Sequence, residues 1–142
     1  MSKPLYESVD PETYLELAKE LSLESQAASK RTAADRAYYA AFLASRDFLT
    51  AKGYITPYYN SDDHRYVEET LKRKDILGSL GNDENRLRRA RNLVTYDTRD
   101  IATTTQQYAR PLSWMISTGG TIIQRVKELP PREAPNETTD LL

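Results

Sequence analysis

The hydrophobic positions of this chain follow a helical period through most of its length. The clearest stripe runs from about residue 32 to residue 52, where inward-facing side chains recur at spacings of three and four. Alanines are frequent near the start of this stripe, so a neighbouring helix can approach closely. Gly53 stands where a helix usually ends. The stripe is formed by Ala34, Ala37, Tyr38, Ala41, Ser45, Phe48 and Leu49.

An earlier helix begins at the run Asp10-Pro11-Glu12, which places a capping Asp before Pro at the first helical position. The polar residues 22–30 that follow it either break the helix or continue it. A third helix begins at Ser61 and extends to about Lys74, with Glu68 on a solvated face.

Two glycines, Gly78 and Gly81, predict a break before the next helix, which Asn82 or Asp83 caps. A last helix is predicted from about residue 104 to residue 129. Pro111 kinks this helix or marks its true start, and the glycines at 119–120 weaken its middle.

The predicted fold is all-α, an antiparallel up-and-down bundle of four main helices with one shorter helix. The helical domain covers residues 10–129, after an N-terminal extension at 1–9. Residues 130–142 contain three prolines and three acidic residues and are predicted to be disordered.

Composition narrows the class of protein. The 142 residues suffice for one domain, and the net charge of −1 gives no overall positive field for nucleic acid or anionic membrane. With no cysteine and a single histidine, His64, one chain has no multi-histidine or thiolate metal site, and we expect no cofactor. No apolar run approaches the roughly 20 residues that span a bilayer, so we expect a cytoplasmic protein without membrane contact.

Ten tyrosines against two phenylalanines and one tryptophan is an unusual aromatic balance. Tyrosines suit the boundary of a core, because the ring packs while the hydroxyl finds a partner. A surface on which nucleic-acid bases stack is the alternative explanation.

Four arginines fall within six residues of the fourth predicted helix. Such a cluster makes a local positive edge, and the planar guanidinium suits phosphate because it binds two oxygens at once. A solvated face that pairs with Asp83 and Glu84 explains the same residues equally well. The cluster consists of Arg86, Arg88, Arg89 and Arg91.

Two short motifs carry a resemblance to a known family. Residues 36–40 read Arg-Ala-Tyr-Tyr-Ala, and residues 91–97 read Arg-Asn-Leu-Val-Thr-Tyr-Asp. In this order they resemble the two signature helices of HEPN domains, small helical bundles found in prokaryotic toxin–antitoxin pairs and RNA-processing systems. One branch of small HEPN proteins typically reads Arg-Asn-x-Ala-Asp-Tyr-Asp at the second motif, of which this chain keeps Arg91, Asn92, Tyr96 and Asp97. That branch also carries the Arg-Ala-Tyr-Tyr-Ala run and often a histidine that opens the third helix, where His64 stands. The resemblance spans about residues 14–129.

The resemblance implies candidate site residues. HEPN ribonucleases carry an arginine, four to six residues and then a histidine, and here Tyr96 stands in the place of that histidine. The resemblance therefore implies a catalytic set of Arg91, Asn92 and Tyr96, with His64 as the one histidine able to act as a base. The four arginines of the cluster become the RNA-binding set. Asp35, Arg36 and Asp97 would support the site, through an Asp35–Arg91 pair or an Arg36–Asp97 pair.

Metal-independent RNA cleavage needs a general base and acid of near-neutral pKa and a cation for the developing phosphorane charge. Histidine, with a pKa of about 6.5, does the first task well, whereas tyrosine has a pKa near 10. On an ideal helix Arg91 and Tyr96 also point about 140° apart. The resemblance implies a two-fold homodimer that brings both residues of both copies together.

Three hypotheses follow. The first is a HEPN toxin, a homodimeric ribonuclease held in check by a cognate antitoxin, often a nucleotidyltransferase. The second is a non-catalytic HEPN module that binds RNA, a nucleotide or a partner protein, and the missing histidine favours it. The third is a helical interaction protein whose arginines only solvate the surface.

Overall fold

The computed structural model describes residues 3–73, 76–101 and 107–133. Within these ranges the chain forms five helices and no strand, which confirms the predicted all-α class. The helices are α1 (Glu12–Ser22), α2 (Ala27–Ala51), α3 (Asp62–Leu71), α4 (Ser79–Tyr96) and α5 (Leu112–Glu128).

The first helix begins at Glu12, one residue after the predicted first position at Pro11. The Asp10 carboxylate accepts a hydrogen bond from the Glu12 backbone N–H at 3.0 Å, which satisfies one of the free donors of the first turn. The polar join after α1 is a break, because residues 23–26 are not helical. The second helix starts at Ala27, earlier than the predicted start near Thr32.

The longest helix, α2, packs against all four others, and its small side chains allow close approach. Ala37 and Ala41 are fully buried. On α5, a Cβ at Gly119 would lie 3.1 Å from the Ala37 carbonyl oxygen, so only glycine fits there without a shift. The Gly119-Gly120 pair lies inside an unbroken α5, and its first glycine brings α5 against α2.

The end of α2 follows the sequence prediction. Gly53 has a φ of 83°, and the Tyr54 N–H donates to the Leu49 carbonyl at 2.8 Å. The segment after α5 meets this turn, because the Arg132 N–H donates to the Lys52 carbonyl at 2.8 Å. The rest of the predicted disordered tail, residues 134–142, lies outside the described residues.

The prediction for the start of α4 was wrong at Gly81. The helix begins at Ser79, after Gly78 with a φ of 54°, so neither Asn82 nor Asp83 caps it. Gly81 is buried inside α4, where a Cβ would lie 2.7 Å from the Leu71 carbonyl carbon. This glycine therefore permits contact between α4 and the end of α3. The third helix ends at Leu71, before the predicted end at about Lys74, which itself lies outside the described residues.

The last helix starts at Leu112, directly after Pro111, so Pro111 marks a true start and no kink. Residues 107–110 are described and are not helical, while the predicted start at 104–106 lies outside the described ranges. None of the described helices is both long and apolar enough to cross a membrane. In the same residues no group of three His, Asp or Glu side chains is placed to hold a metal ion.

Candidate functional site

The two motif segments contact each other, α2 carrying the first and α4 the second. The Arg91 guanidinium lies 4.8 Å from the ring centre of Tyr38 and 5.6 Å from that of Tyr39. Its Nε lies 3.2 Å from Asp35 Oδ1, an ionic contact whose angle is not that of a hydrogen bond. Of the two ion pairs that the sequence allowed, the chain forms Asp35–Arg91.

The other supporting residues have different partners. Arg36 Nη2 lies 2.6 Å from Asp35 Oδ2, and its guanidinium is 5.3 Å from the Tyr39 ring centre. Asp97 pairs with Arg99 at 2.9 Å, and the hydrogen bond from the Arg99 side chain lowers the pKa of Asp97 to about 2. The alternative Arg36–Asp97 pair is therefore not formed.

Arg31, which the sequence analysis did not single out, fixes the end of α4. Its guanidinium donates to the Val94 carbonyl at 2.8 Å, to the Arg99 carbonyl at 2.7 Å and to the Asp97 carbonyl. These carbonyls belong to the last turn of α4 and the residues after it, where backbone acceptors lack partners within the helix. A cation from α2 thus positions the segment that presents Tyr96.

His64 contacts Tyr38, a residue whose predicted role was only packing. His64 Nδ1 and the Tyr38 hydroxyl are hydrogen-bonded, and Tyr38 is fully buried. The His64 ring also stacks on Phe42, with ring centres 4.0 Å apart. Arg91 of α4, Tyr38 of α2, His64 of α3 and Phe42 of α2 form a continuous stack.

Burial holds both members of the Tyr38–His64 pair neutral at pH 7. The pKa of His64 is lowered to about 4, by burial first and then by the positive charges of Arg91 and Arg88. Burial raises the pKa of Tyr38, and Glu84 raises it further at the high pH where both groups lose their protons. The protonated phenol can donate to Nδ1, which leaves the imidazole proton on Nε2. Such an imidazole is a weak base.

Two carboxylates complete this site. Glu84 is fully buried, and neither of its oxygens has a hydrogen-bond partner among the described residues. Burial, followed by the charge of Glu68, raises the pKa of Glu84 to about 8, so it is protonated at pH 7. Glu68 was predicted to be solvated, and this was wrong: it is buried and lies 2.9 Å from Arg88 Nε. The inner cluster is Tyr38, His64, Glu68, Glu84, Arg88 and Arg91.

The arginine cluster of α4 divides between two faces of the helix. Arg88 and Arg91, three residues apart, face inward, where Arg88 pairs with the buried Glu68 and Arg91 with the partly buried Asp35. Arg86 and Arg89 are exposed; Arg86 pairs with Asp83 at 2.8 Å, and the Arg89 guanidinium lies 4.8 Å from the Tyr108 ring centre. The predicted positive edge therefore consists of Arg86 and Arg89 alone.

Two surface grooves adjoin the motif residues. A groove of about 560 Å³ between α2 and the end of α4 is lined in part by Asp35, Arg36 and Thr98. A second groove of about 520 Å³ contains Asn92 and Tyr96 and shares Thr98 with the first. Tyr96 is 76% exposed, whereas the Arg91 side chain is 12% exposed and lines neither groove. The structure thus does not bring Arg91 and Tyr96 of one chain together.

A third groove, of about 330 Å³, opens beside His64, and we call it the aromatic groove. Its lining includes Tyr39, which also contacts Arg36 of the first groove. The three grooves therefore follow one another from the aromatic groove through Tyr39 and Arg36 to Tyr96. We call the surface formed by these three grooves the signature band. The aromatic groove is lined by Tyr39, Phe42, Leu43, Arg46, Tyr59, Asn60, Ser61 and His64.

The signature band has a local excess of positive charge although the chain is almost neutral. One carboxylate, Asp35, is shared by the guanidiniums of Arg36 and Arg91. Arg31 donates to backbone carbonyls, which carry no full negative charge. Two guanidinium charges near the band are thus not neutralised by these contacts, and an anionic chain can compensate them.

Comparison of the chain with protein-family models, with curated proteins and with solved structures finds no match. A function therefore has to be inferred from the residues of the chain itself.

Proposed function

We propose that this chain is a HEPN-type protein of a prokaryotic toxin–antitoxin or defence system that binds RNA as a homodimer. The observation that carries the proposal is the contact between the two motif segments, in which Arg91 lies against Asp35, Tyr38 and Tyr39. Residues far apart in sequence meet there, which supports the proposal. In this proposal the four longer helices form the antiparallel up-and-down bundle of a HEPN domain.

RNA is the ligand that suits the signature band best. Single-stranded RNA is bound by cationic grooves that follow its phosphates and by aromatic side chains on which its bases stack. The band offers Arg36 and Arg99 for phosphates, and the exposed Tyr96 for stacking. Both arginines also pair with a carboxylate, Asp35 and Asp97 respectively, but Arg99 lies on the surface and is open to a phosphate. Arginine contacts of this kind act locally, so the net charge of −1 does not oppose them.

The geometry favours binding over cleavage. A general base should have a pKa near the working pH, and that of His64 is lowered to about 4. Arg91 is engaged with Asp35, and Tyr96 lies in a different groove. A metal-independent ribonuclease remains the second candidate, because the Tyr38–His64 hydrogen bond lies beside Arg91 and a second copy can bring its own Tyr96.

Partner proteins follow from the same proposal. A toxin of this type has a cognate antitoxin, often a nucleotidyltransferase, and a non-catalytic module would bind a nucleotide or such a partner on the same surface. For the homodimer, light scattering is expected to give a mass near twice 16.2 kDa at micromolar concentration. A mass of one chain would refute the homodimer.

The test is a fluorescence anisotropy titration of labelled single-stranded RNA in excess EDTA, at several salt concentrations. We expect the wild type to bind, and Arg36→Gln with Arg99→Gln to weaken binding and to reduce the salt slope by about one for each phosphate that is no longer bound. The matched control, Arg86→Gln with Arg89→Gln, removes two exposed arginines outside the band and is expected to keep the slope.

Gel analysis of the same samples is expected to find the RNA intact. Degradation that His64→Ala or Arg91→Ala removes would favour the ribonuclease instead. Absence of wild-type binding at low salt would refute the RNA proposal. A salt slope that changes only in the control pair would place the RNA on the outer face of α4.

A further inference from the structure

The loop before α3 holds one tyrosine in an unfavourable backbone conformation. Tyr59 has a φ of 57°, in the left-handed region that a bulky residue rarely adopts. The conformation is held by Asp63, a buried carboxylate that accepts the Tyr58 N–H at 2.9 Å and the Tyr59 N–H at 2.8 Å. The loop is thus fixed from inside, while the Tyr59 side chain is 70% exposed.

The fixed loop presents the Tyr59 ring at the aromatic groove. The Arg46 guanidinium lies 5.1 Å from the Tyr59 ring centre and 5.8 Å from that of Phe42, which stacks on His64. Arg46 Nε also lies 3.1 Å from Asp47, so its charge is partly compensated. The groove is therefore defined by ring and guanidinium faces more than by free positive charge.

Polar groups line the rim between these faces. The Asn60 side-chain carbonyl accepts the Asp62 N–H at 2.9 Å, which leaves the two N–H donors of the amide outside that bond. Ser61 makes no side-chain capping bond to α3. The neutral His64 adds a ring N–H when its Nδ1 accepts from Tyr38. Flat faces bordered by donors suit a planar heterocycle with acceptors at its edge.

We propose that the aromatic groove holds one unpaired nucleobase, stacked against Tyr59 and the Arg46 guanidinium. The inference rests on the proposed function, since the base belongs to the RNA that follows the signature band. The groove adjoins that band through Tyr39, which contacts Arg36 and Arg91. Stacking tolerates any base, so the groove selects single strands over duplexes rather than one sequence.

The test compares Tyr59→Gly with the wild type in binding to a short single-stranded RNA and to a strand of the same length without bases. Glycine adopts a positive φ at no steric cost, so we expect the variant to melt at the wild-type temperature or higher. We expect its affinity for the RNA to fall about tenfold. Its affinity for the abasic strand is expected to equal that of the wild type.

Tyr58→Ala is the matched control. Tyr58 is also exposed, but its ring lies 5.7 Å from Tyr66 and does not line the groove. We expect this variant to keep wild-type affinity for the RNA. Equal reductions in Tyr58→Ala and Tyr59→Gly, or unchanged affinity in Tyr59→Gly while the wild type binds RNA, would overturn the nucleobase groove and leave the RNA proposal standing.

A second arm separates a base in a strand from a free mononucleotide. His64 is the only histidine, so its ring signals in an NMR spectrum are unambiguous. Titration with adenosine monophosphate is expected to shift these signals in the wild type and not in Tyr59→Gly. If the wild type binds no RNA, the proposed function fails, and the titration alone then tests the groove. A shift of the His64 signals supports a mononucleotide in the groove, and no shift overturns the inference.

Discussion

The two faces of α4 carry the same residue type in opposite environments. On one face Arg88 and Arg91 lie against acidic side chains, the buried Glu68 and the partly buried Asp35. On the other, Arg86 and Arg89 reach solvent and contact acceptors on or near α4 itself. Helical phase alone separates the pairs, since residues three apart share a face.

The comparison teaches that an arginine run does not by itself define a nucleic-acid site. The inner arginines compensate charges that the fold has buried, a structural role that makes them poor phosphate ligands in one chain. The exposed pair contributes little to the fold and stays accessible to solvent. The RNA-binding set predicted from sequence thus contains two kinds of residue, which stability and binding measurements can separate.

The largest expected effect is the loss of an inner arginine. Arg88→Ala leaves Glu68 buried without its cation, beside the buried Glu84. We expect the free energy of unfolding to fall by about 3 kcal/mol. The control Arg89→Ala is expected to stay within about 0.5 kcal/mol of the wild type. Urea unfolding of both variants checks this, and equal decreases would mean that the two faces do not differ.

A smaller decrease in stability is expected for a substitution at Gly81, where the start of α4 packs against the end of α3. A Cβ at Gly81 would collide with the backbone of Lys72 and Leu71, so Gly81→Ala has to shift α4 from α3, which carries Glu68. We expect the free energy of unfolding to fall by about 2 kcal/mol in thermal or urea unfolding. At Gly120 a Cβ would make an ordinary 3.5 Å contact with Leu15, and Gly120→Ala is expected to gain up to about 1 kcal/mol. A stabilised Gly81→Ala would contradict the close approach.

The pH dependence of stability reports on the inner cluster. The pKa of Glu84 is raised to about 8 from 4.5, so the folded chain keeps a proton that the unfolded chain loses, and stability falls as pH rises through this range. The pKa of His64 is lowered to about 4 from 6.5, so its contribution rises with pH between these values. The two effects oppose each other from about pH 4.5 to 6.5.

Above pH 6.5 only the Glu84 effect remains. We expect the free energy of unfolding to fall by up to about 1.4 kcal/mol per pH unit from pH 6.5 to 8. Glu84→Gln, which has no proton to lose, is expected to remove this fall. Urea unfolding at half-unit intervals makes the measurement, and a wild-type profile as flat as that of Glu84→Gln would contradict the buried neutral acid.

Much of the fold could be predicted because its signals are local. The Asp10 cap, the alanine stripe of α2, the Gly53 end and the Pro111 start each depend on neighbours within a few residues. Gly81 was misjudged because its role depends on a second helix. From sequence alone, a glycine predicts a helix break, because the backbone that packs against it is not known.

The residues of the candidate site could be predicted from sequence only where they belong to one of the two motifs or lie beside it. The Asp35–Arg91 pair followed from polar residues on two helices, but the Tyr38–His64 bond and the Arg31 cap join residues that no local pattern relates. The burial of Glu84 could not be predicted for the same reason, since a glutamate next to several arginines is expected to lie in solvent. Its burial follows from the packing of α4 against α2 and α3.

The measurement that tests the central claim most directly is photo-crosslinking of thiouridine-containing single-stranded RNA to the full chain, with the attached peptides mapped by mass spectrometry. RNA on the signature band predicts cross-links at Tyr59 and Tyr96, which are exposed at its two ends. Cross-links confined to Tyr108, beside the outer Arg89, or to the exposed Tyr6, would contradict the account.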